Sequence, residues 1–509
     1  MAGGWTEGYL AEVDYSATLH RELAPINLAL AATIKLVAAP PPERPYNFLE
    51  LGCGYGVTTA ALAAANPHAT FHANDFNPAH IAQARRLAAE AGLANITYLE
   101  QSFAELRDVA LPEFDFIALH GILSWVSADN VGHIVELIRR HLKPAGLCFI
   151  SYNALPGWSA VAPLQRLLKM LSQQMAGGVL DRLAQSIVMV EQLKSAEARF
   201  FGFNPFASQW TDDFRKADPH YLAHEYLNEH WTAYYAADVH ARMSEAKLTF
   251  VASAEQIENF RDDSLTPAMQ RLLNDIPPGP LRETAFDFAV NRIFRRDVFA
   301  RGVVAIDGRE QRRILAESRF VLTRARSRCE TEAKVPNATI RIDDPVFPVL
   351  LDVMAAGPQV LGALYEHPAL APFGREEVLR AMMVLLSINY AAIALPADGE
   401  AARRASAGRF NAAAVRRILD GKPPRALASP VLGNGVPIDP IDCFCLASRH
   451  HKGDPVDFVL DRIDATNQTV SKAGKVITDR GELRAEMMVR VTNTLAEGPA
   501  VLDALGIEI

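Results

Sequence analysis

The stretch Asn47-Phe48-Leu49-Glu50-Leu51-Gly52-Cys53-Gly54-Tyr55-Gly56 constrains the fold more than any other, because it sets three glycines between an apolar strand pattern and a helical one. Glycine is required where a chain turns sharply and a ligand comes close to the backbone. The helix that follows leaves its first N–H groups free, and these suit a carboxylate or phosphate. Strand patterns at Asn47–Leu51, Thr70–Asn74, Ile96–Leu99, Phe114–Leu119 and Leu147–Tyr152 alternate with helical ones at Val57–Ala65, Ala79–Ala91 and Asn130–Leu142. That alternation predicts an α/β fold with a parallel sheet covered on both faces.

The rest of the chain is arranged around this core. Apolar spacing from Leu19 to Val37 predicts a helical N-terminal segment (1–45) that Pro40-Pro41-Pro42 ends. After Tyr152 the pattern becomes helical, at Leu164–Met175 and Leu180–Leu193, so 154–230 reads as an insertion serving as a lid or a homodimer contact. A helix at Ala236–Ala246 and a strand at Leu248–Ala252 return the chain to the sheet, giving a sheet domain of 46–153 and 231–306. Its last strand is expected within Phe286–Arg301, where Phe286, Phe288 and Val290 alternate. Residues 307–509 read as a mainly helical, winged-helix-like middle and C-terminal region. Its strands are expected at Arg319–Arg328 and Ala338–Ile342, its helices at Val346–Ala355, Arg375–Leu386 and Asn411–Leu419.

Composition excludes some function classes. A net charge of -8 argues against wrapping nucleic acid, which needs a basic surface. The apolar stretches Leu28–Ala39 and Ala381–Leu395 fall short of the ~20 residues that cross a bilayer. No cationic leader with an apolar run opens the chain, and five scattered cysteines suit a reducing compartment, so a cytoplasmic location is expected.

Two details narrow the ligand. A nicotinamide site asks for G-x-G-x-x-G, whereas the third glycine here arrives one residue early and Val57 follows it. Glu50 stands two residues before the first glycine, where its carboxylate reaches the cationic amino end of a methionine moiety. Asp75 closes the second strand, ahead of Phe76, where an acidic side chain accepts hydrogen bonds from ribose hydroxyls. An acidic residue followed by G-x-G-x-G resembles the first motif of the class I, Rossmann-like S-adenosylmethionine-dependent methyltransferases. The resemblance implies S-adenosyl-L-methionine as cofactor. It also implies adenine contacts in the loop Gln101-Ser102-Phe103, which lacks the acidic residue usual there. The expected cofactor contacts are therefore Glu50, Gly52, Gly54, Gly56, Asp75, Phe76, Ser102, Phe103, His120 and Gly121, with no metal. His120, Tyr152 and Asn153 end the fourth and fifth strands at the ligand edge of such a sheet and are the catalytic candidates. His120 reads either as a general base or as a pocket-shaping histidine.

Further stretches carry a narrower resemblance. Arg21-Glu22-Leu23-Ala24-Pro25, His120-Gly121-Ile122-Leu123-Ser124-Trp125 and Ser151-Tyr152-Asn153-Ala154-Leu155-Pro156-Gly157-Trp158 resemble bacterial methyltransferases carrying a methyltransferase regulatory domain. So do His224-Glu225-Tyr226-Leu227-Asn228, Asn291-Arg292-Ile293-Phe294-Arg295-Arg296-Asp297 and Ser429-Pro430-Val431-Leu432-Gly433. These run from about residue 15 to the end. The best-understood relatives are bacterial protein-lysine methyltransferases of surface proteins, which implies a lysine acceptor and dimerisation through the inserted helices. Leu119-His120-Gly121-Ile122 replaces the Asn/Asp-Pro-Pro-aromatic motif of many amino-group methyltransferases, so nitrogen and oxygen transfer both stay open. A small-molecule or glycan O-methyltransferase and a non-catalytic S-adenosylmethionine-binding regulatory protein are the alternatives.

Other signals are weaker. His220 and His224 lack the glutamate placement of a zinc protease, and Cys443 with Cys445 lacks a second pair for a closed zinc site. Arg324, Arg326 and Arg328 would align on one face of a strand, and with Arg292, Arg295 and Arg296 could meet an acidic partner.

Overall fold

The computed structural model describes residues 6–13, 17–260, 265–335, 338–472 and 475–509. Strand β1 (Asn47–Leu51) pairs in parallel with β2 (Thr70–Asn74) on one side and β4 (Phe114–Leu119) on the other. β3 (Ile96–Leu99) extends the sheet beyond β2, and β5 (Leu142–Asn153) beyond β4. β6 (Leu248–Ser253) and β7 (Phe294–Arg301) complete it antiparallel, in the order β3-β2-β1-β4-β5-β7-β6. Strand order reverses between β1 and β4, which opens a crevice at their C-terminal ends.

Helices cover both faces. Phe48, Phe71, Phe116 and Phe149 share one face with α1 (Pro25–Ile34). Leu49, Leu51, Ile117, Leu119, Cys148 and Ile150 share the other with a helix at Ala128–His141 and one at Ala236–Ser244. Helix α2 (Val57–Ala65) is buried along its whole length, as its sequence without a charged residue requires. The sheet packs on one side of it; helix Glu400–Leu419 and the hairpin Ala426–Ser429/Asn434–Pro437 pack on the other. Helix α3 (Pro78–Glu90) starts behind an Asn77 cap.

Between β5 and β6 the inserted helices, from Ala162–Ser172 to Pro219–Leu227, enclose their own core around Trp158, Leu164, Leu183, Phe214 and Tyr226. Beyond Arg301 the chain is mainly helical around a small antiparallel sheet of Arg319–Leu322, Gln359–Val360 and Ala391–Ala394. Among the described residues, no helix is long and apolar enough to cross a membrane.

Three local expectations are corrected. Phe286, Phe288 and Val290 lie on a helix (Pro280–Val290), because Pro280 occupies its first turn and Asn291 ends it in the left-handed region. The N-terminal helix begins at Pro25, not Leu19; Ala24 before the proline is held extended. The row of Arg324, Arg326 and Arg328 does not exist, since the strand ends at Leu322 and a turn follows. Arg326 pairs with Asp352 at 2.6 Å, Arg328 with Glu497, and Arg324 lies 4.1 Å over the Tyr390 ring.

Candidate active site

The glycine loop folds as its composition demands. Gly52 and Gly56 have φ of 70° and 65°, a region costly for other residues. A Cβ on Gly56 would come within 2.6 Å of the Tyr98 ring, and one on Gly52 within 2.3 Å of Ile122 Cδ1. Gly54 differs: a Cβ there meets nothing within 4 Å, because that side of the turn faces a cleft. Gly54 N–H donates to Asp75 Oδ2 at 2.9 Å, and Asn77 N–H donates to Asp75 Oδ1 at 2.9 Å. The Asp75 carboxylate thus ties the loop to the end of β2, while Asn77 caps α3.

The cleft opens at the C-terminal ends of the parallel strands. Glu50, Gly52, Gly54, Asp75, Phe76, Ser102, Phe103, His120 and Gly121 all line it, whereas Gly56 sits behind it, packed on Tyr98. The Glu50 side chain is buried and accepts a hydrogen bond from the Thr59 hydroxyl of α2. Burial pushes its carboxyl up to about 7, helped by the nearby Asp75 charge and opposed by the Thr59 bond. Gln101 also lines the cleft, and among the described residues its buried Oε1 has no hydrogen-bond partner.

Tyr152 and Asn153, expected at this edge, stand outside the cleft lining. Tyr152 is fully buried and donates to Asp297 Oδ2 at 2.7 Å, and its phenol is raised well above its ordinary range by burial and then by the Asp297 charge. Asp297 also meets Arg295 at 2.9 Å and His240 at 3.5 Å, and Arg295 continues to Asp287 at 2.7 Å and Glu283 at 3.0 Å. Arg292 pairs with Glu258, so these arginines are spent internally and form no patch for an acidic partner. Asn153 Nδ2 donates to Glu225 Oε1 at 2.7 Å, which also accepts from Trp231 Nε1 at 3.1 Å. Burial pushes the Glu225 carboxyl up to about 7 as well, against the pull of those bonds.

His120 keeps its place on the cleft wall. Its Nδ1 lies 3.2 Å from Ser151 Oγ, which also accepts from Gly121 N–H at 2.8 Å. His20 stacks on His120 with ring centres 3.7 Å apart and planes 30° apart. Glu22 Oε1 stands 3.7 Å from His120 Nδ1 and is held by Arg296 Nε at 3.2 Å. Both imidazoles are lowered: His120 well below its ordinary value by burial, then His20 and Arg296, and His20 by burial and Arg296 against the opposing pull of Glu22.

Sequence reasoning missed the second wall. Thr6, Glu7, Tyr9 and the run Ala17–His20 close over the glycine loop. Tyr9 packs edge-on against Phe76 at 5.6 Å and stacks on His224 at 5.4 Å. Leu10 N–H donates to Asn228 Oδ1 at 3.0 Å, and the buried His224 reaches Val13 O at 2.9 Å, a contact that ties the strap to the inserted helices. His20 N–H donates to Thr58 Oγ1 at 3.0 Å. No spacing rule marks such a strap. Cys443 and Cys445 are buried in an apolar core.

A model described as "Methyltransferase domain" matches residues 48–146, and one described as "Predicted methyltransferase regulatory domain" matches 218–301. An uncharacterised protein of Synechocystis is 33% identical over 503 residues, covering 99% of both chains. One of Rickettsia prowazekii is 29% identical over 290 residues, 56% of this chain and 51% of its own. Among solved structures, PKMT2 from Rickettsia typhi in complex with AdoHcy superposes with a TM-score of 0.68 at 18% identity, covering 94% of this chain and 98% of that one.

Proposed function

Since the chain belongs to the class I S-adenosylmethionine-dependent methyltransferases that carry a methyltransferase regulatory domain, we propose that it methylates lysine side chains of a protein and that the strand-end cleft is where cofactor and acceptor meet. The enzyme takes its methyl group from S-adenosylmethionine. In this reading Glu50 receives the ammonium of the methionine part, and Asp75, whose Oδ2 keeps a second lone pair while Oδ1 already meets Asn77 N–H and His80 Nδ1, receives a ribose hydroxyl. Phe76, Ser102 and Phe103 flank the adenine, Gly52 and Gly121 form the floor, and Gly56 shapes the turn from behind. The orphaned Gln101 Oε1 fits this assignment, since an adenine amino group supplies the donor it lacks. The bound cofactor supplies a methyl group already activated by its sulfonium; the protein's part is to align a nucleophile and remove its proton.

The observation that supports a nitrogen acceptor is the His120 imidazole, fixed on the cleft wall by Ser151 and stacked on His20. An ammonium must lose a proton before its lone pair can attack. The fold shared with PKMT2, a protein lysine methyltransferase, supports the same class. The inserted helices and residues 307–509 would then recognise the acceptor protein, in a cytoplasmic homodimer. Incubation with methyl-labelled cofactor and fractionated cell extract tests the reading. Label in acid-precipitable, protease-sensitive material that hydrolyses to methyllysine is expected; label confined to small solutes would favour O-methylation instead and overturn it.

A further inference from the structure

We infer that His20 and His120 work as one stacked imidazole pair that takes the proton from the acceptor amine, an inference that rests on the lysine reading. The two rings come from distant parts of the chain, one from the strap ahead of α1 and one from the end of β4, yet meet at 3.7 Å on the cleft wall. Neither position is incidental. The His20 backbone is pinned by Thr58, and the next carbonyl, Arg21 O, accepts from Asn27 Nδ2 at 2.7 Å and Asn434 Nδ2 at 3.0 Å. His120 is fixed by Ser151 and flanked by the Phe149 and Phe294 rings.

The charged groups facing the pair are few. Glu22 is the only carboxylate that the described residues place within 4 Å of an imidazole nitrogen here, and Arg296 from β7 holds it, with Glu255 on the far side of that guanidinium at 3.6 Å. Both rings therefore rest uncharged at neutral pH, with nitrogen lone pairs open to a proton. Once a proton arrives, Glu22 offsets the new charge, and repulsion from the second ring favours its return to solvent.

The step balances. The acceptor ammonium gives a proton to an imidazole nitrogen, and its freed lone pair forms the N–C bond as the C–S bond breaks with its electron pair left on sulfur. Two positive charges enter, on ammonium and sulfonium; two leave, on methylammonium and imidazolium. The imidazolium then returns its proton to solvent as the product departs.

The donor atoms of His20, Glu22 and His120 lie within 4.8 Å of one another, the spacing of a metal cluster. Two features favour the proton pair over a cation. Rings stacked face to face do not aim two lone pairs at one point, and Arg296 already sits on Glu22.

The test compares His20→Phe, His120→Phe, His20→Gln and the double Phe variant. In the cofactor-free protein, ¹⁵N NMR titration should show the His120 midpoint moving up toward its ordinary value in His20→Phe, since His20 repels its protonated form. Each Phe variant should lose methyl transfer to a lysine-containing acceptor protein by about 100-fold in kcat with KM changed less than threefold. The double variant should be no worse than either single one. In His20→Phe and His20→Gln, S-adenosylhomocysteine affinity and melting temperature, unchanged within a factor of about two and a few degrees, separate this from misfolding. Wild-type kcat or an unmoved His120 titration in both His20→Phe and His20→Gln overturns the pair, as does one equivalent of tightly held metal whose chelation abolishes activity. If the wild-type enzyme transfers no label to lysine, the lysine reading fails instead, and the NMR coupling still reports on the pair.

Discussion

Glu50 allows the sharpest quantitative test of the cofactor site. Its carboxyl is buried beside the glycine loop and titrates at about 7 rather than near 4.5. Without ligand it is therefore mostly protonated at pH 6 and mostly ionised at pH 8. Receiving an ammonium requires the ionised form, so binding below pH 7 must drive a proton off. The ionised fraction falls from ~0.9 at pH 8 to ~0.1 at pH 6, which predicts about tenfold weaker binding, or about 1.4 kcal/mol, and release of ~0.9 proton per site at pH 6. S-adenosylhomocysteine, whose amino group stays charged over this range, is the right ligand. Isothermal titration in two buffers of different ionisation enthalpy reads affinity and proton release together. Glu50→Gln should bind more weakly with an affinity flat in pH. Affinity that is independent of pH in the wild type, or proton uptake on binding, would refute the reasoning. The same shift has a sign for the ligand-free fold. A raised carboxyl contributes stability that is fully present below its unfolded value near 4.5 and is lost as pH rises through about 7. Cofactor should thus raise the melting temperature most above pH 7, where the bare carboxylate destabilises most.

Gly54→Trp fills the open side of the turn, where a Cβ meets no neighbour within 4 Å, and should abolish the thermal shift produced by S-adenosylhomocysteine; the left-handed φ of 53° costs about 1–2 kcal/mol of stability but leaves the protein folded. Gly56→Ala instead drives a methyl into the Tyr98 ring at a left-handed φ and should destabilise by about 2–4 kcal/mol, read by denaturant unfolding. Glu225→Gln keeps one oxygen for Asn153 and Trp231, which share Oε1, but puts an amide N–H₂ where the Trp125 indole N–H donates, and should destabilise by ~1–3 kcal/mol, with an intact melting transition at its wild-type temperature counting against the network. In Gly435→Ala the new methyl would lie 2.4 Å from Leu19 Cδ1 and 3.2 Å from Ala61 Cβ, so the Leu19 side chain must move; if that movement carries the neighbouring His20, cofactor affinity should fall although the substitution lies in the C-terminal hairpin, and unchanged affinity would show that the leucine adjusts alone.

What was legible in the sequence was what local geometry dictates. The strand–turn–helix at Asn47–Ala65 could be read because only glycine tolerates its backbone, and Asp75 because strand length carries it to the same edge. At β5 side chains alternate, so Tyr152 turns from the face that Ser151 presents, and Asn153, although two residues from Ser151, is taken up by Glu225. Ser151 turns to His120 and Gly121, while Tyr152 turns away to Asp297. The motif at Phe286–Val290 misled because a five-residue alternation fits a half-buried helix as well as a strand. The strap was not legible at all, since its place depends on partners more than two hundred residues away, such as Asn228 for Leu10 and His224 for Val13.

Those distant partners explain why so many scattered motifs belong to one site. His224 and Asn228 hold the strap at Val13 and Leu10, and Arg296 holds Glu22 beneath His120. Asn434, just after the Ser429–Gly433 turn, holds the Arg21 carbonyl, and the turn itself accepts at Gly433 O from Asn66 at the end of α2. The segment from 218 to 301 and the C-terminal hairpin therefore act on the cleft through the strap and α2 rather than by lining it. An uncharged, mostly apolar helix such as α2 needs that outer cover, because removing it would expose Val57–Ala65 to water on one side. The sheet alone sets the glycine loop, but the second wall of the cleft, His20 included, exists only when the rest of the chain has folded against it.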